Sequence, residues 1–158
     1  MLPRTYDDQV CSVARTLERI GDRWTMLIVR DAFLGVRRFD DFQRELGVAR
    51  NVLTDRLGRL VDEGILEKRA YQERPERFEY RLTEKGVDLW PVLISLMKWG
   101  DRHSPTEDGQ PTVIVHRDCG GEVNERFRCE RCGADVDARS AQAMPGPGSR
   151  RQWTTSVL

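Results

Sequence analysis

Apolar residues recur at helical spacing through the first part of the chain and then change period. Val10, Val13, Ala14, Leu17 and Ile20 fall on one stripe, which predicts a first helix over 10–20 ended by Gly21. Asp22 is a helix N-cap by residue type, and Trp24, Leu27, Ile28 and Ala32 mark a second helix over 23–33. A short third helix, 39–46, closes at Gly47. A fourth, 49–63, carries Leu53, Leu57, Leu60 and Val61 on one stripe and stops at Gly64. Beyond it, Ile65–Arg69 and Phe78–Leu82 read as two short strands, and the polar, proline-bearing segment 72–77 reads as their hairpin tip. Thr83 to Gly86 opens a last long helix reaching about His103, with Leu89, Val92, Leu93, Leu96 and Trp99 apolar.

Past that helix the periodicity fades. SPTEDGQPT, 104–112, has the composition of a linker, a small unit follows from Val113, and MPGPGSRRQWTTSVL reads as a loose tail. At 158 residues with 39% hydrophobic and 33% charged positions, the chain has enough apolar surface to fold, which argues against wholesale disorder. Its longest apolar run, around Trp90 to Met97, is far short of the roughly 18–20 residues a membrane span needs. The N-terminus lacks the apolar stretch of a signal peptide, so the expectation is a cytoplasmic protein with no membrane partner.

Three helices followed by a two-stranded hairpin is the element order of a winged helix-turn-helix, in which a helix enters the major groove and the hairpin lies against neighbouring phosphates or the minor groove. With Leu53, Leu57, Leu60 and Val61 inward, Asn51, Asp55, Gly58 and Arg59 lie opposite, flanked by Thr54 and Arg56, with Arg50 in the first turn. Asn suits adenine, Arg suits guanine, and Thr suits a thymine methyl or a phosphate. Arg74 and Arg77 at the hairpin tip are the expected phosphate or minor-groove contacts. Adding Arg38, ahead of the third helix, completes the expected DNA-binding set. Net charge lends no support, since 26 basic residues balance 26 acidic ones, and the segment from Arg44 to Arg81 holds nine basic against eight acidic. A plain solvated face is the alternative on these residues alone.

From Cys11 to His103 the chain resembles the HxlR-type winged helix-turn-helix regulators, relatives of the MarR group. The likeness rests on Cys11, Ile20-Gly21-Asp22-Arg23-Trp24-Thr25, Arg38-Phe39-Asp40-Asp41-Phe42, Leu53-Thr54-Asp55-Arg56-Leu57 and Asp62-Glu63-Gly64-Ile65-Leu66. It continues through Tyr71, Pro75, Phe78-Glu79-Tyr80 and Leu82-Thr83-Glu84-Lys85-Gly86. The resemblance implies a homodimeric transcription regulator on double-stranded DNA, reading an inverted-repeat operator, with the long last helix and the first helix building the dimer. Two departures stand out: Ala49 where the family commonly has a capping Ser, and Glu76 after Pro75, an acid at the wing tip. The resemblance also implies that Cys11, opening the first helix near Arg15, is a redox- or electrophile-sensing thiol, although Ser12 replaces the proline often found next. A buried inert thiol is the other reading. A small-molecule or oxidant effector fits the family.

His116-x-x-Cys119 and Cys129-x-x-Cys132 have the spacing of a four-ligand zinc site, each half ending in glycine as zinc-ribbon knuckles do. A unit of about 25 residues cannot bury enough surface to fold alone, so a structural zinc would help it. A degenerate, metal-free site is the alternative. The unit also resembles ribbon-like C-terminal extensions of some HxlR-type regulators. The expected architecture is therefore mainly α with a small β-hairpin wing: 1–103 a winged helix-turn-helix DNA-binding and dimerisation domain, 104–112 a linker, 113–138 a zinc-ribbon-like unit and 139–158 a flexible tail. Trp24, Trp90 and Trp99 read as packing residues, and no triad, phosphate loop or carboxylate pair points to an enzyme. The rival function is a winged-helix protein-interaction module that does not bind DNA.

Overall fold

The computed structural model describes Thr5 and residues 10–150. They form two compact units, divided between Gly86 and Val87. The first unit therefore ends well before the boundary at 103 that the linker composition suggested, and the last helix belongs with the C-terminal unit.

The first unit contains α1 (Ser12–Ile20), α2 (Thr25–Phe33), α3 (Phe39–Leu46), α4 (Arg50–Asp62), β1 (Leu66–Glu73) and β2 (Glu76–Leu82). Its core is Ile28, Val29, Phe42, Leu53, Leu57, Leu60 and Leu66, each at most 2% exposed. The leucine stripe of α4 is thus buried as its spacing predicts. Val48 and Leu53, both buried, take the two hydrophobic-staple positions that fix the entry angle of α4. On α1, by contrast, only Ala14 and Ile20 are buried, while Val13 and Leu17 remain exposed.

The N-cap of α2 is Trp24, and Asp22, expected there, stands two residues earlier and closes the turn into the helix: its Oδ1 accepts the amides of Trp24 at 2.9 Å and Thr25 at 3.1 Å, and its Oδ2 accepts the Thr25 hydroxyl. The Arg56 Nε lies 3.1 Å from the same carboxylate, tying α4 to the start of α2.

The hairpin is longer than its apolar pattern. Antiparallel pairing runs from Leu66↔Leu82 to Glu73↔Glu76, leaving only Arg74 and Pro75 as the turn, where a tip of six residues was expected. The outer arms are exposed on both faces, so their strand character comes from backbone pairing and leaves no apolar alternation to read. Residues 37 and 38 join the wing as well: the Tyr80 amide donates to the Arg37 carbonyl at 2.7 Å, and Arg38 bridges Glu79.

The single long helix expected from Thr83 to His103 is two. α5 (Glu84–Val87) stops, and α6 (Trp90–His103) restarts with a proline in its first turn. Pro91 has no amide to donate to the Val87 carbonyl, so the ladder breaks there and proline takes the position it favours, the helix start. In the second unit α6 buries Trp90 and Ile94, and the Trp90 ring stands 5.6 Å from that of Phe127. Val92, Leu96 and Trp99 form an exposed apolar stripe. β3 (Thr112–His116) pairs with β4 (Ala141–Pro145), so the first part of the expected tail, 139–158, is structured. Gly146 and Gly148 donate to the carbonyls of Pro111 and Gln110, and a Cβ on either would lie about 2 Å from a backbone oxygen. These glycines permit close approach of two backbones. Residues 151–158, the rest of that expected tail, lie outside the described residues. No helix is long and apolar enough to cross a membrane among the described residues.

Burial raises the Asp22 pKa, but the Thr25 hydroxyl, the two amides and the Arg56 charge outweigh it and hold the carboxyl below its ordinary 3.8. A depressed folded-state pKa means that the stabilisation is complete above the ordinary value and is lost as pH falls through the folded one. Asp22→Asn keeps an accepting oxygen and removes the charge. It should melt below wild type at neutral pH, with the gap narrowing as the pH falls below 3.8. A gap that stays constant across an acid series of melting curves would contradict this.

Candidate nucleic-acid interface and metal centre

The exposed face of α4 follows from the buried one. Arg50, Asn51, Thr54, Asp55, Gly58 and Arg59 all face solvent, opposite Leu53, Leu57 and Leu60. No atom lies within 4 Å of a Cβ placed on Gly58, so this face lets an incoming surface approach the helix backbone closely. Ala49, the N-cap, makes no side-chain cap bond, as its residue type predicts. The Thr54 hydroxyl donates to the Arg50 carbonyl at 2.9 Å, which leaves its methyl as the outward group.

The arginines on this face differ in availability. Arg56 is half-buried: it donates to Asp55 at 2.8 Å, and its Nε lies 3.1 Å from the Asp22 carboxylate as an ion pair without hydrogen-bond geometry, so it positions α4 within the unit. Arg50 stacks on Phe39 at 4.6 Å and lies 3.5 Å from Asp40. In the wing, Arg69 and Arg81 pair with Glu67 and Glu79. Between Arg44 and Arg81, Glu45, Asp55, Glu67 and Glu79 pair with arginines of the same segment, and Glu63 pairs with Arg19 and Lys85 from outside it. Arg59 on α4 and Arg74 and Arg77 at the wing tip are left without a carboxylate among the described residues, as is Arg38 at the α3 entry. The structure brings Arg50, Asn51, Thr54, Asp55 and Arg59 onto one helix face, and sets Arg74 and Arg77 apart at and beside the hairpin turn. Two partners escaped the sequence reading. Asp22 and Arg56 are far apart in the chain, and Tyr71, quoted only as a motif residue, lies under the Arg38 guanidinium at 4.6 Å.

Cys11 is exposed, in extended conformation at the N-cap of α1, which removes the buried-thiol reading. Arg15 bonds the Ser12 hydroxyl at 3.2 Å.

In the second unit, His116, Cys119, Cys129 and Cys132 bring one donor atom each to within 4.8 Å of one another. Two matching turns do this. Gly120 donates its amide to the His116 carbonyl and Gly133 to the Cys129 carbonyl, both at 2.8 Å, with both glycines left-handed at φ 69° and 72°. His116 Nδ1 is 3.5 Å from the Cys119 sulfur and 3.3 Å from that of Cys132, while Cys119 and Cys129 are 3.3 Å apart. Metal bonds of about 2.0–2.3 Å at tetrahedral angles put ligands roughly 3.5–3.8 Å apart, close to these edges. A disulfide would need about 2.05 Å, and all three cysteines are free. Amides of Cys132 and Arg131 bond the Cys129 sulfur and bring its pKa down to about 6, favouring the thiolate a metal needs. The other imidazole nitrogen of His116, whose residue is only 6% exposed, faces the Asp118 carboxylate at 3.6 Å. The donor set, its size and its backbone support fit a bound metal ion.

Gly121 closes the cradle. A Cβ there would lie 2.6 Å from the Cys129 sulfur and 2.4 Å from the Arg131 Cβ. Gly121→Ala should therefore lose metal affinity by at least about tenfold, as disturbed support around ligands does, read from cobalt(II) titration of the full chain. Unchanged affinity would refute the close-packed cradle.

Comparisons with known proteins agree with this geometry. The HxlR-like helix-turn-helix family model matches residues 19–108. The HTH-type transcriptional regulator Rv3095 of Mycobacterium tuberculosis is 44% identical over 145 residues, covering 92% of this chain and 92% of its own, so the likeness runs through the metal centre. Among solved structures, the candidate transcription factor PA1607 is 40% identical with a TM-score of 0.67, over 84% of this chain and 93% of its own. The redox regulator HypR in its oxidised form is 31% identical with a TM-score of 0.56, over 61% of this chain and the whole of its own. A buried leucine stripe with a polar outer face, a paired wing and these matches lead to one assignment: the chain belongs to the HxlR-like helix-turn-helix family of transcriptional regulators.

Proposed function

We propose that the protein is a homodimeric, sequence-specific DNA-binding regulator whose α4 enters the major groove while the wing contacts backbone phosphates. One observation carries the reading: α4 buries Leu53, Leu57 and Leu60 and leaves a continuous polar face on which Asn51 and Arg59 are free. A second copy of the chain covers the apolar stripe Val92, Leu96 and Trp99 on α6 and Val13 and Leu17 on α1. A two-fold dimer then presents two α4 helices about 34–36 Å apart to an inverted repeat. His116, Cys119, Cys129 and Cys132 hold a zinc ion in a structural role, since four protein ligands leave no open position. Zinc supplies the cross-link that a unit with a small core lacks. The exposed Cys11 at the N-cap of α1, together with the likeness to a protein described as a redox regulator, supports a response to oxidants through this thiol.

The DNA reading predicts distinct losses. Arg77→Ala should weaken binding to all sequences and flatten the salt dependence by about one unit, as removal of one phosphate contact does. Asn51→Ala should cost about 1–3 kcal/mol on a selected site with little effect on random duplex. Wild-type protein whose DNA affinity ignores salt would favour the protein-docking module instead. For zinc, elemental analysis of the full chain should find close to one ion per chain. A strong chelator, or Cys129→Ser, should remove hydrogen-exchange protection from 112–145 and leave α2–α4 protected. Metal-free protein with an ordered ribbon would end the zinc assignment.

A further inference from the structure

Tyr71 occupies an irregular place in the wing. Ala70 pairs with Phe78 and Gln72 with Arg77, so Tyr71 is the extra residue of a β-bulge in β1. A bulge redirects the side chain it carries. Here the residue is 38% exposed, and its ring centre lies 4.6 Å from the guanidinium carbon of Arg38. Arg38 is held on its own side: it is the extended N-cap of α3, its backbone bridges Glu79 of β2, and the preceding carbonyl accepts the Tyr80 amide. Both partners of the stack therefore stand on fixed backbone.

How the guanidinium is held decides what it can still do. Arg56, Arg69 and Arg81 each set an N–H group against a carboxylate, of Asp55, Glu67 and Glu79 respectively, which competes with a phosphate for it. Arg38 lies over the Tyr71 ring and no carboxylate pairs with it among the described residues, so its N–H donors are not taken by an acid. An arginine that must be ordered on contact loses rotamer freedom, and a ring that orders it beforehand reduces that loss.

We propose that Tyr71, aimed by the bulge, is a positioning residue that holds the Arg38 guanidinium, at the junction of the wing and α3, ready for a backbone phosphate of bound duplex DNA. The inference rests on the DNA-binding reading above. It assigns the exposed aromatic a role that packing within the hairpin does not supply.

The test is a titration of the full chain with a mixed-sequence duplex between about 50 and 200 mM salt. Five proteins are compared: wild type, Arg38→Ala, Tyr71→Phe, Tyr71→Leu and the double variant Arg38→Ala/Tyr71→Leu. Arg38→Ala should flatten the salt slope by about one unit. Tyr71→Phe keeps the ring and should match wild type, while Tyr71→Leu should bind about 2- to 5-fold more weakly. In the Arg38→Ala background, Tyr71→Leu should change nothing further. An equal loss in both backgrounds would overturn the proposal, because a ring acting only on wing stability weakens binding whether or not Arg38 is present. So would Tyr71→Phe falling as far as Tyr71→Leu, or no loss in either. Melting temperatures of the variants, expected to match wild type, confirm a folded wing; if Tyr71→Leu melts early, Tyr71→Thr repeats the cycle. Wild type that fails to bind DNA ends the DNA-binding reading and this inference with it. Wild-type binding with intact variants ends the inference alone.

Discussion

Leu53, Leu57 and Leu60 must leave water together, and one side of one helix is the only arrangement that lets them do so. Each side chain buried in this way contributes about 1.5–3 kcal/mol. Once they face Ile28 and Phe42 in the core, the rotation of α4 about its axis is settled, and with it the identity of every residue on the outer face. Asn51, Thr54, Gly58 and Arg59 are presented because their neighbours are buried. The turn at Asp22 and the ion pair from Arg56 fasten the same helix to α2, so the rotation is held by packing at the centre and by charge at the edge.

The electrostatics follow a division of labour among arginines. Those beside carboxylates are engaged within the unit, Arg56 across to Asp22 and Arg69 and Arg81 along their own strands. Those held by an aromatic face, or by nothing, keep their donors for a partner. The division leaves Arg59, Arg74 and Arg77 without a carboxylate, among the described residues, on a segment whose charges nearly cancel. In the C-terminal unit the corresponding constraint is the meeting of two similar turns. Left-handed glycines fold His116 onto Cys119 and Cys129 onto Cys132, and a third glycine without room for a Cβ lets the halves meet. Trp90 and Phe127 join α6 to that ribbon, so the exposed apolar stripe of α6 and the Cys/His cluster belong to one compact unit.

What could be read from the sequence was local. Helices α2, α3 and α4 appear where periodicity and capping residues place them, and the metal-binding spacing is legible because each half is a single turn. The longer wing arms were hidden, since exposed strands such as 70–77 pair through backbone and show no apolar alternation. The break before α6 was signalled by Pro91 but masked by a continuous apolar stripe. The segment from Met144 reads as a loose tail by composition, whereas Gly146 and Gly148 serve close backbone contact. At the site, Arg56 has the residue type of a DNA contact and the right helical angle. Only its distance from Asp22, a residue of the turn into another helix, separates a positioning arginine from a reading one. The bulge at Tyr71 is a property of register, which no single residue type reveals.

The claim on which the rest stands is that duplex DNA covers the face of α4 left free by the leucine stripe. Amide hydrogen exchange of the full chain, with and without saturating mixed-sequence duplex, tests it most directly. The account predicts added protection in 49–59 and in the wing around 71–77, with α2 and β3 unchanged. Binding that protects only the ribbon, or leaves α4 exchanging as in the free protein, would contradict it.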